Sequence, residues 1–233
     1  MLSDVMEDYL KAIYELEEEV GPPVSTSTIA DHLDVTAPTV TSMVEKLEER
    51  GLVDREKYKG VELTEEGTTV ALEVLRHHRL LETYLTEHLD YDWTDVHDEA
   101  DILEHHISEE FERRLAAALD EPTVDPHGDP IPDADLTEPE AAGHSRLSEH
   151  EAGDVVEVKR VRDRDDEELR YLERAGIVPG TVVEVRDVAP FGMLTLDVDG
   201  DSQSLPKEVA TSIRVRSVTD DEEERDAPET PDA

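Results

Sequence analysis

The sequence contains no cysteine, which excludes disulfides, thiolate metal ligands and cysteine nucleophiles together. Aromatic residues are few, with one Trp, two Phe and six Tyr. Positive charge is also scarce: 22 Lys plus Arg stand against 62 Asp plus Glu in 233 residues, a formal net charge of −40. No apolar run approaches the roughly 18 residues that a membrane span needs. The opening Met1-Leu2-Ser3-Asp4 leads into an acidic amphipathic stretch instead of the apolar core of a secretion signal. A soluble cytoplasmic protein without membrane contact is expected.

Apolar residues make up only 36% of the chain, a share that borders on disordered composition. Helical periodicity nevertheless runs through much of the sequence, so a folded protein with a carboxylate-saturated surface is expected. Such a surface suits a cytoplasm at multimolar salt, where the Debye length falls to about 3 Å or less and self-repulsion is screened. An extreme halophile is the expected source.

Met6, Tyr9, Leu10, Ile13 and Leu16 recur at three and four residues and predict a first helix over 4–19, ended by Gly21-Pro22-Pro23. A short helix over 27–33, a turn at Asp34-Val35-Thr36 and a helix over 37–50 with Pro38 in its first turn follow. Two short strands, 52–57 and 60–63, then flank a turn, completing the layout of a winged helix. Three further helices, 64–89, 95–107 and 108–119, carry more Leu, Val and Ala than a lone winged helix needs and predict a dimerisation layer. After a connector rich in Pro, Gly and Asp, the periodicity becomes strand-like at 155–158, 182–185, 194–198 and 213–215, which predicts a small barrel.

The expected class is therefore α+β, with an N-terminal winged helix-turn-helix over 1–63 and an all-α dimerisation and metal-binding domain over 64–140. A linker over 141–149, an SH3-like barrel over 150–218 and a disordered acidic tail over 219–233 complete it.

In the helix-turn-helix, Thr36, Pro38, Thr39 and Ser42 lie near the start of the second helix, the end that enters a major groove, and Thr26 and Ser27 open the first. Hydroxyls can meet phosphates or base edges, and apolar groups can meet a thymine methyl. Lys46, Lys57 and Lys59, with Arg50 and Arg55, supply local positive charge, yet eight acidic residues between Ser25 and Leu63 outnumber these five. At very high salt the counterion-release contribution is small for any protein, so binding would rest on hydrogen bonds and apolar contacts.

Histidines and carboxylates gather on the helices after the wing. His78 and Glu82 are four apart, and His97, Asp101, Glu104 and His105 follow at four, three and one, so each set can share a helical face. Imidazole and carboxylate on adjacent turns form a plausible divalent-metal cage. His77, His88 and His106 are assigned ordinary structural or solvated roles.

The stretch Met6-Glu7-Asp8-Tyr9-Leu10-Lys11-Ala12-Ile13-Tyr14, the helix-turn-helix, His78-Arg79-Leu80 and Val96-His97-Asp98-Glu99-Ala100-Asp101 on to Glu104-His105 resemble the diphtheria toxin repressor family of metal-dependent repressors. So does Pro126-His127-Gly128-Asp129-Pro130-Ile131-Pro132, while Ala175-Gly176-Ile177-Val178-Pro179-Gly180 is similar to the ferrous-transport-A type barrel that many members append. The resemblance implies two metal sites: a primary one at Asp8, Asp101, Glu104 and His105, and an ancillary one at His78, Glu82 and His97 completed by Asp165 and Glu168. Iron-sensing members place a methionine and a cysteine where Asp8 and Asp101 stand here. Exchanging sulfur for hard carboxylate favours Mn(II) over softer metals, with Fe(II) as the alternative. Compact manganese sensors carry a further carboxylate where this chain has Lys11, which favours the separated primary-plus-ancillary arrangement over a closely spaced metal pair.

The resemblance implies a homodimeric repressor of metal-uptake genes that binds double-stranded operator DNA. Metal would tie Asp8, on the first helix of the winged domain, to ligands on the dimerisation helices. The two recognition helices would then sit about one DNA turn, roughly 34 Å, apart. Two other classes compete. A metalloenzyme would need a positioned base and a small-molecule substrate, for which no motif is present. A metal-independent structural or partner-binding winged helix would bind no metal stoichiometrically. An SH3-like barrel can also bind a proline-rich peptide, but with only Tyr171 and Phe191 as candidate aromatics an ancillary-site or stabilising role is preferred.

Overall fold

The computed structural model describes residues 2–56, 59–137, 143–162 and 166–218. The chain forms two compact units. The first is built from Met1–Tyr84, Asp98–Thr123 and Ile131–Pro139, the second from Leu85–His97, Val124–Pro130 and Glu140–Ala233.

In the first unit, helix α1 (Asp4–Val20) buries Met6, Tyr9, Leu10, Ile13 and Leu16, the face its spacing predicts. Gly21 ends it at a positive φ of 79°, a conformation that costs glycine no Cβ clash. Helix α2 (Thr26–His32) is capped by Ser25, whose Oγ accepts the Thr28 N–H at 3.1 Å. Asp34, at φ 49°, turns the chain into α3 (Ala37–Glu48), where Val40, Val44 and Leu47 point inward. Strands β1 (Val53–Glu56) and β2 (Gly60–Leu63) pair antiparallel as the wing. Gly60 is needed there because a Cβ would strike the backbone carbonyl of Val24. Leu10, Ile13, Ile29, Val40, Val44, Leu47 and Leu75 belong to one core cluster.

Helix α4 (Glu65–Leu89) follows Thr64, whose Oγ1 accepts the Gly67 N–H at 3.1 Å. Helices α5 (Val96–Leu103) and α6 (Glu109–Ala118) come next, the latter capped by Ser108. Leu80, Leu81, Ala100, Leu115, Ala116 and Ile131 form a second, smaller core. Helix α5 is shorter than the span predicted over 95–107, because Glu104 to His106 form a turn instead of a further regular turn of helix.

The second unit is an antiparallel sheet of β3 (Ser145–Arg146), β4 (Val155–Val161), β5 (Val182–Val188), β6 (Met193–Val198), β7 (Asp201–Pro206) and β8 (Ile213–Ser217), with helices α7 (Asp166–Arg174) and α8 (Lys207–Ser212). The strand order is β3-β8-β4-β5-β6-β7. Val156, Val158, Val183, Val185, Leu194 and Leu196 alternate inward and meet Leu169 and Leu172 of α7. Two expectations change. Among the described residues β3 and β7 do not pair, so the sheet is not a hydrogen-bonded closed barrel. Leu147, expected in a linker, is fully buried in this core, and Ser145 and Arg146 are paired with β8. The tail expected to be disordered, 219–233, lies outside the described residues.

Candidate metal centre and DNA-reading surface

Asp8, Glu104 and His105 come together in the first unit, offering one donor atom each within 4.8 Å of one another. Asp8 projects from α1, and the other two follow the last turn of α5. His105 Nε2 lies 2.9 Å from Asp8 Oδ1 and 3.5 Å from Glu104 Oε1, while its Nδ1–H donates to Glu7 Oε2 at 2.8 Å. Glu7 was not anticipated as part of the site. It is the carboxylate that holds the far side of the ring and leaves Nε2 facing Asp8 and Glu104, the arrangement usual behind a metal-bound histidine.

Asp101, the fourth expected primary ligand, is gathered elsewhere: its Oδ1 accepts from Lys11 Nζ at 2.8 Å and lies 3.2 Å from His78 Nδ1. Glu104 is fully buried and joins the two groups. Its Oε2 lies 2.5 Å from His78 Nδ1, and both of its oxygens accept from Lys11, at 3.0 and 2.8 Å. Of the expected ancillary ligands, His78 and Glu82 meet at 3.0 Å through Nε2 and Oε1. His97 and Glu168 belong to the second unit, where the Glu168 carboxylate accepts a hydrogen bond from Ser212, and Asp165 lies outside the described residues. His77 has a structural contact, its Nδ1 3.1 Å from the carbonyl of Glu104.

The electrostatics are those of an acidic pocket. Burial raises the Asp8 carboxyl; the charges of His105 and Lys11 pull it back and Glu104 adds to the rise, leaving it above its usual value. Burial disfavours charge on His105, but the Glu7 hydrogen bond and the charges of Glu104 and Asp8 outweigh it, so the ring is raised. His78 is raised further: burial and Lys11 oppose its charge, and Glu82, Asp101 and Glu104 prevail. Lys11 follows the same pattern, its burial overcome by Glu104, Asp101 and Glu15. A set of hard oxygen and imidazole donors that raises the proton affinity of its own histidines is one that gains from a divalent cation, and the donor chemistry fits one.

On the opposite function, Thr36, Pro38, Thr39, Ser42 and Lys46 are all exposed along α3 and its N-terminal approach. Thr36 and Thr39 share a hydroxyl contact of 2.8 Å. Ser27 is exposed at the start of α2, and Thr26 lines a groove with Ser25, Thr41, Arg55 and Lys59 between that helix and the wing. Lys59 is engaged by Glu56 at 2.5 Å and Arg55 by Glu45 at 3.3 Å. Lys57 lies outside the described residues.

A winged helix-turn-helix joined through the Asp8–Glu104–His105 cluster to a helical layer is the arrangement of a metal-dependent DNA-binding repressor. The chain belongs to the iron-dependent repressor family. Residues 1–61 match the iron dependent repressor N-terminal DNA binding domain, 64–133 the iron dependent repressor metal binding and dimerisation domain, and 145–217 the FeoA domain. The iron-dependent repressor IdeR of Mycobacterium tuberculosis is 35% identical over 93% of this chain and 99% of its own length. The diphtheria toxin repressor of Corynebacterium efficiens is 36% identical over 93% and 97%. A solved manganese-dependent transcriptional repressor in complex with manganese superposes with a TM-score of 0.85 at 39% identity, covering 91% of this chain and all of that one. No helix among the described residues is long and apolar enough to cross a membrane.

Proposed function

We propose that the chain is a homodimeric repressor of metal-uptake genes that binds double-stranded operator DNA when loaded with Mn(II). The observation that carries this reading is the Asp8–Glu104–His105 cluster. It links the helix that begins the DNA-binding domain to the helical layer with oxygen and nitrogen donors only. Asp8, Glu104 and His105 would hold the ion, with Asp101 as the further carboxylate, and His78 and Glu82 would belong to the ancillary site. A bound divalent cation would supply the charge that allows these carboxylates to stay close. The residues themselves do the rest: Glu7 orients His105, and α1 carries any shift of Asp8 into the winged helix.

Two carboxylates where iron sensors carry sulfur support manganese, as does the likeness to a manganese-bound repressor. Fe(II) is the second reading, favoured by relatives that are named iron-dependent. The match of residues 64–133 to a metal binding and dimerisation domain supports a dimer, and Ile102 and Phe111, 66% and 47% exposed in the helical layer, are candidates for its contact surface. The excess of 62 acidic over 22 basic residues supports a cytoplasm at very high salt as the working environment. The output is occupancy of DNA, not catalysis: the polar groups around the cluster are ligands and their hydrogen-bond partners.

Gel-shift titration with Mn(II) and with anaerobic Fe(II) at multimolar KCl tests the proposal. Metal is expected to raise operator affinity by about 5–150-fold, the usual range of allosteric coupling. Asp8→Ala and His105→Ala should lose that response while remaining folded dimers by circular dichroism and sedimentation. Both variants responding like the native chain would show the mechanism to be wrong.

A further inference from the structure

Lys11 is the one member of the site whose presence the metal reading does not explain. It stands one helical turn after Asp8 on α1, and its side chain is only 13% exposed. Its ammonium lies 2.8 Å from Asp101 Oδ1, 3.0 Å from Glu104 Oε1, 2.8 Å from Glu104 Oε2 and 3.2 Å from His78 Nδ1. An ammonium has three protons to donate, and three carboxylate oxygens surround this one.

We propose that Lys11 is a tethered cation that occupies the ligand set when metal is absent, competes with the metal for Glu104 and Asp101, and so sets the metal concentration at which the protein responds. This rests on the reading of Asp8, Glu104 and His105 as the primary site. The physical case has two parts. The Glu104 side chain has 0% exposure, and without a counter-charge it would be a desolvated carboxylate. Lys11 supplies that charge in the metal-free chain and keeps the site assembled. Both Glu104 oxygens are already engaged by the ammonium, so a metal taking either oxygen meets a like charge a few ångströms away. The lysine is a flexible chain with a compact strongly hydrated head, able to release the carboxylates and leave toward water. Metal loading is thus an exchange of one cation for another, in contrast to the filling of a vacant cage.

The exchange lowers apparent affinity by the fraction of molecules whose ligands are free of lysine. If that fraction is one in ten, the apparent Kd is roughly tenfold weaker than the intrinsic one. Lys11→Met keeps an unbranched side chain, one atom shorter than that of lysine, and removes its charge. In the full chain, free Mn(II) counted by electron paramagnetic resonance should show binding about tenfold tighter in Lys11→Met than in the native protein. Thermal melting should show the opposite effect without metal: a lower Tm for the variant, and therefore a wider upward shift on adding Mn(II). If Lys11→Met unfolds without metal, Mn(II)-dependent refolding is the expected result, and Lys11→Gln, which retains a donor for Glu104, provides the affinity comparison.

Native-like or weaker Mn(II) binding in these variants, with the native chain binding stoichiometrically, would overturn the exchange and leave the primary site intact. Absence of stoichiometric Mn(II) binding in the native chain, unchanged in Asp8→Ala, would overturn the site and the exchange together.

Discussion

His105 Nδ1 donates to Glu7 Oε2 at 2.8 Å, across 98 residues of sequence and directly beside Asp8. Glu7 and Asp8 are neighbours on α1, so the same helix supplies the proposed ligand on one side of the ring and the group that orients the ring on the other. Carboxylates behind metal-bound histidines commonly contribute about 10–100-fold to affinity. Glu7→Ala is therefore expected to weaken Mn(II) binding by about that factor, measured by calorimetry, with little change in operator affinity once metal is saturating. A Kd within twofold of the native value would remove Glu7 from the site.

Much of this was legible in the sequence, for physical reasons that differ from part to part. The buried stripe of α1 follows from Met6, Tyr9, Leu10, Ile13 and Leu16, because burial on one helical face imposes a period of 3.6. His78 with Glu82 follows from a spacing of four. Glu7 was not legible as a site residue, and Lys11 stood out only through the resemblance, as a position where related sensors carry a carboxylate: their partners lie 67 to 98 residues away and are chosen by helix packing, which leaves no local pattern. Strand β7 escaped because Asp201-Ser202-Gln203-Ser204-Leu205-Pro206 buries only Leu205, so no alternation marks it. Its turn was the available signal, since Asp199 and Gly200 both take positive φ, 53° and 93°, as a tight hairpin requires. Helix α7 was hidden by its charge density, although Leu169 and Leu172 keep the helical interval.

The sheet of the second unit carries a second arrangement that composition would not suggest. Arg214 on β8 stands directly opposite Arg146 on β3 and Arg160 on β4. In so acidic a chain, three guanidinium groups form one lateral row; Arg160 is paired with Asp129, and neither Arg146 nor Arg214 has an ion-pair partner among the described residues. Directly opposed like charges cost about 0.2–1 kcal/mol per pair, and partial exposure holds each toward the low end through solvent screening. Arg214→Gln should raise Tm in low salt, and the gain should shrink as KCl rises. A gain that is independent of salt would point to packing instead of charge.

His144 reports on the same row. Burial, followed by the charges of Lys159, Arg216, Arg214 and Arg160, holds its imidazole below the ordinary histidine value of 6.5. A lowered value in the folded state means that the unfolded chain binds the proton more readily. The ring's contribution to stability is therefore present above pH 6.5 and is lost as pH falls through the lowered folded value. Arg214→Gln should move the His144 titration upward in an NMR pH series. An unmoved midpoint would show that Arg214 does not contribute to the depression.

The charge pairing around the helix-turn-helix determines how DNA binding should answer to salt. For B-DNA the slope of log K against log salt is about −0.9 for each phosphate neutralised. Of the cations near α3 and the wing, Arg55 is committed to Glu45 and Lys59 to Glu56, while Lys46 and Arg50 have no ion pair among the described residues. Few full charges are then available to displace counterions, and the eight carboxylates between Ser25 and Leu63 work against the remainder. On the proposed reading, affinity would come from the exposed hydroxyls and ring of Thr36, Pro38, Thr39 and Ser42, whose hydrogen bonds and apolar contacts do not depend on counterion release. The expected result is a slope near zero or positive for metal-loaded operator binding, measured by fluorescence anisotropy from low to multimolar KCl. Thr39→Ala should weaken binding at every salt concentration without changing that slope, whereas Lys46→Gln should change the slope slightly. A steep fall in affinity with rising KCl would mean that phosphate contacts dominate and that the exposed face of α3 has been assigned the wrong role.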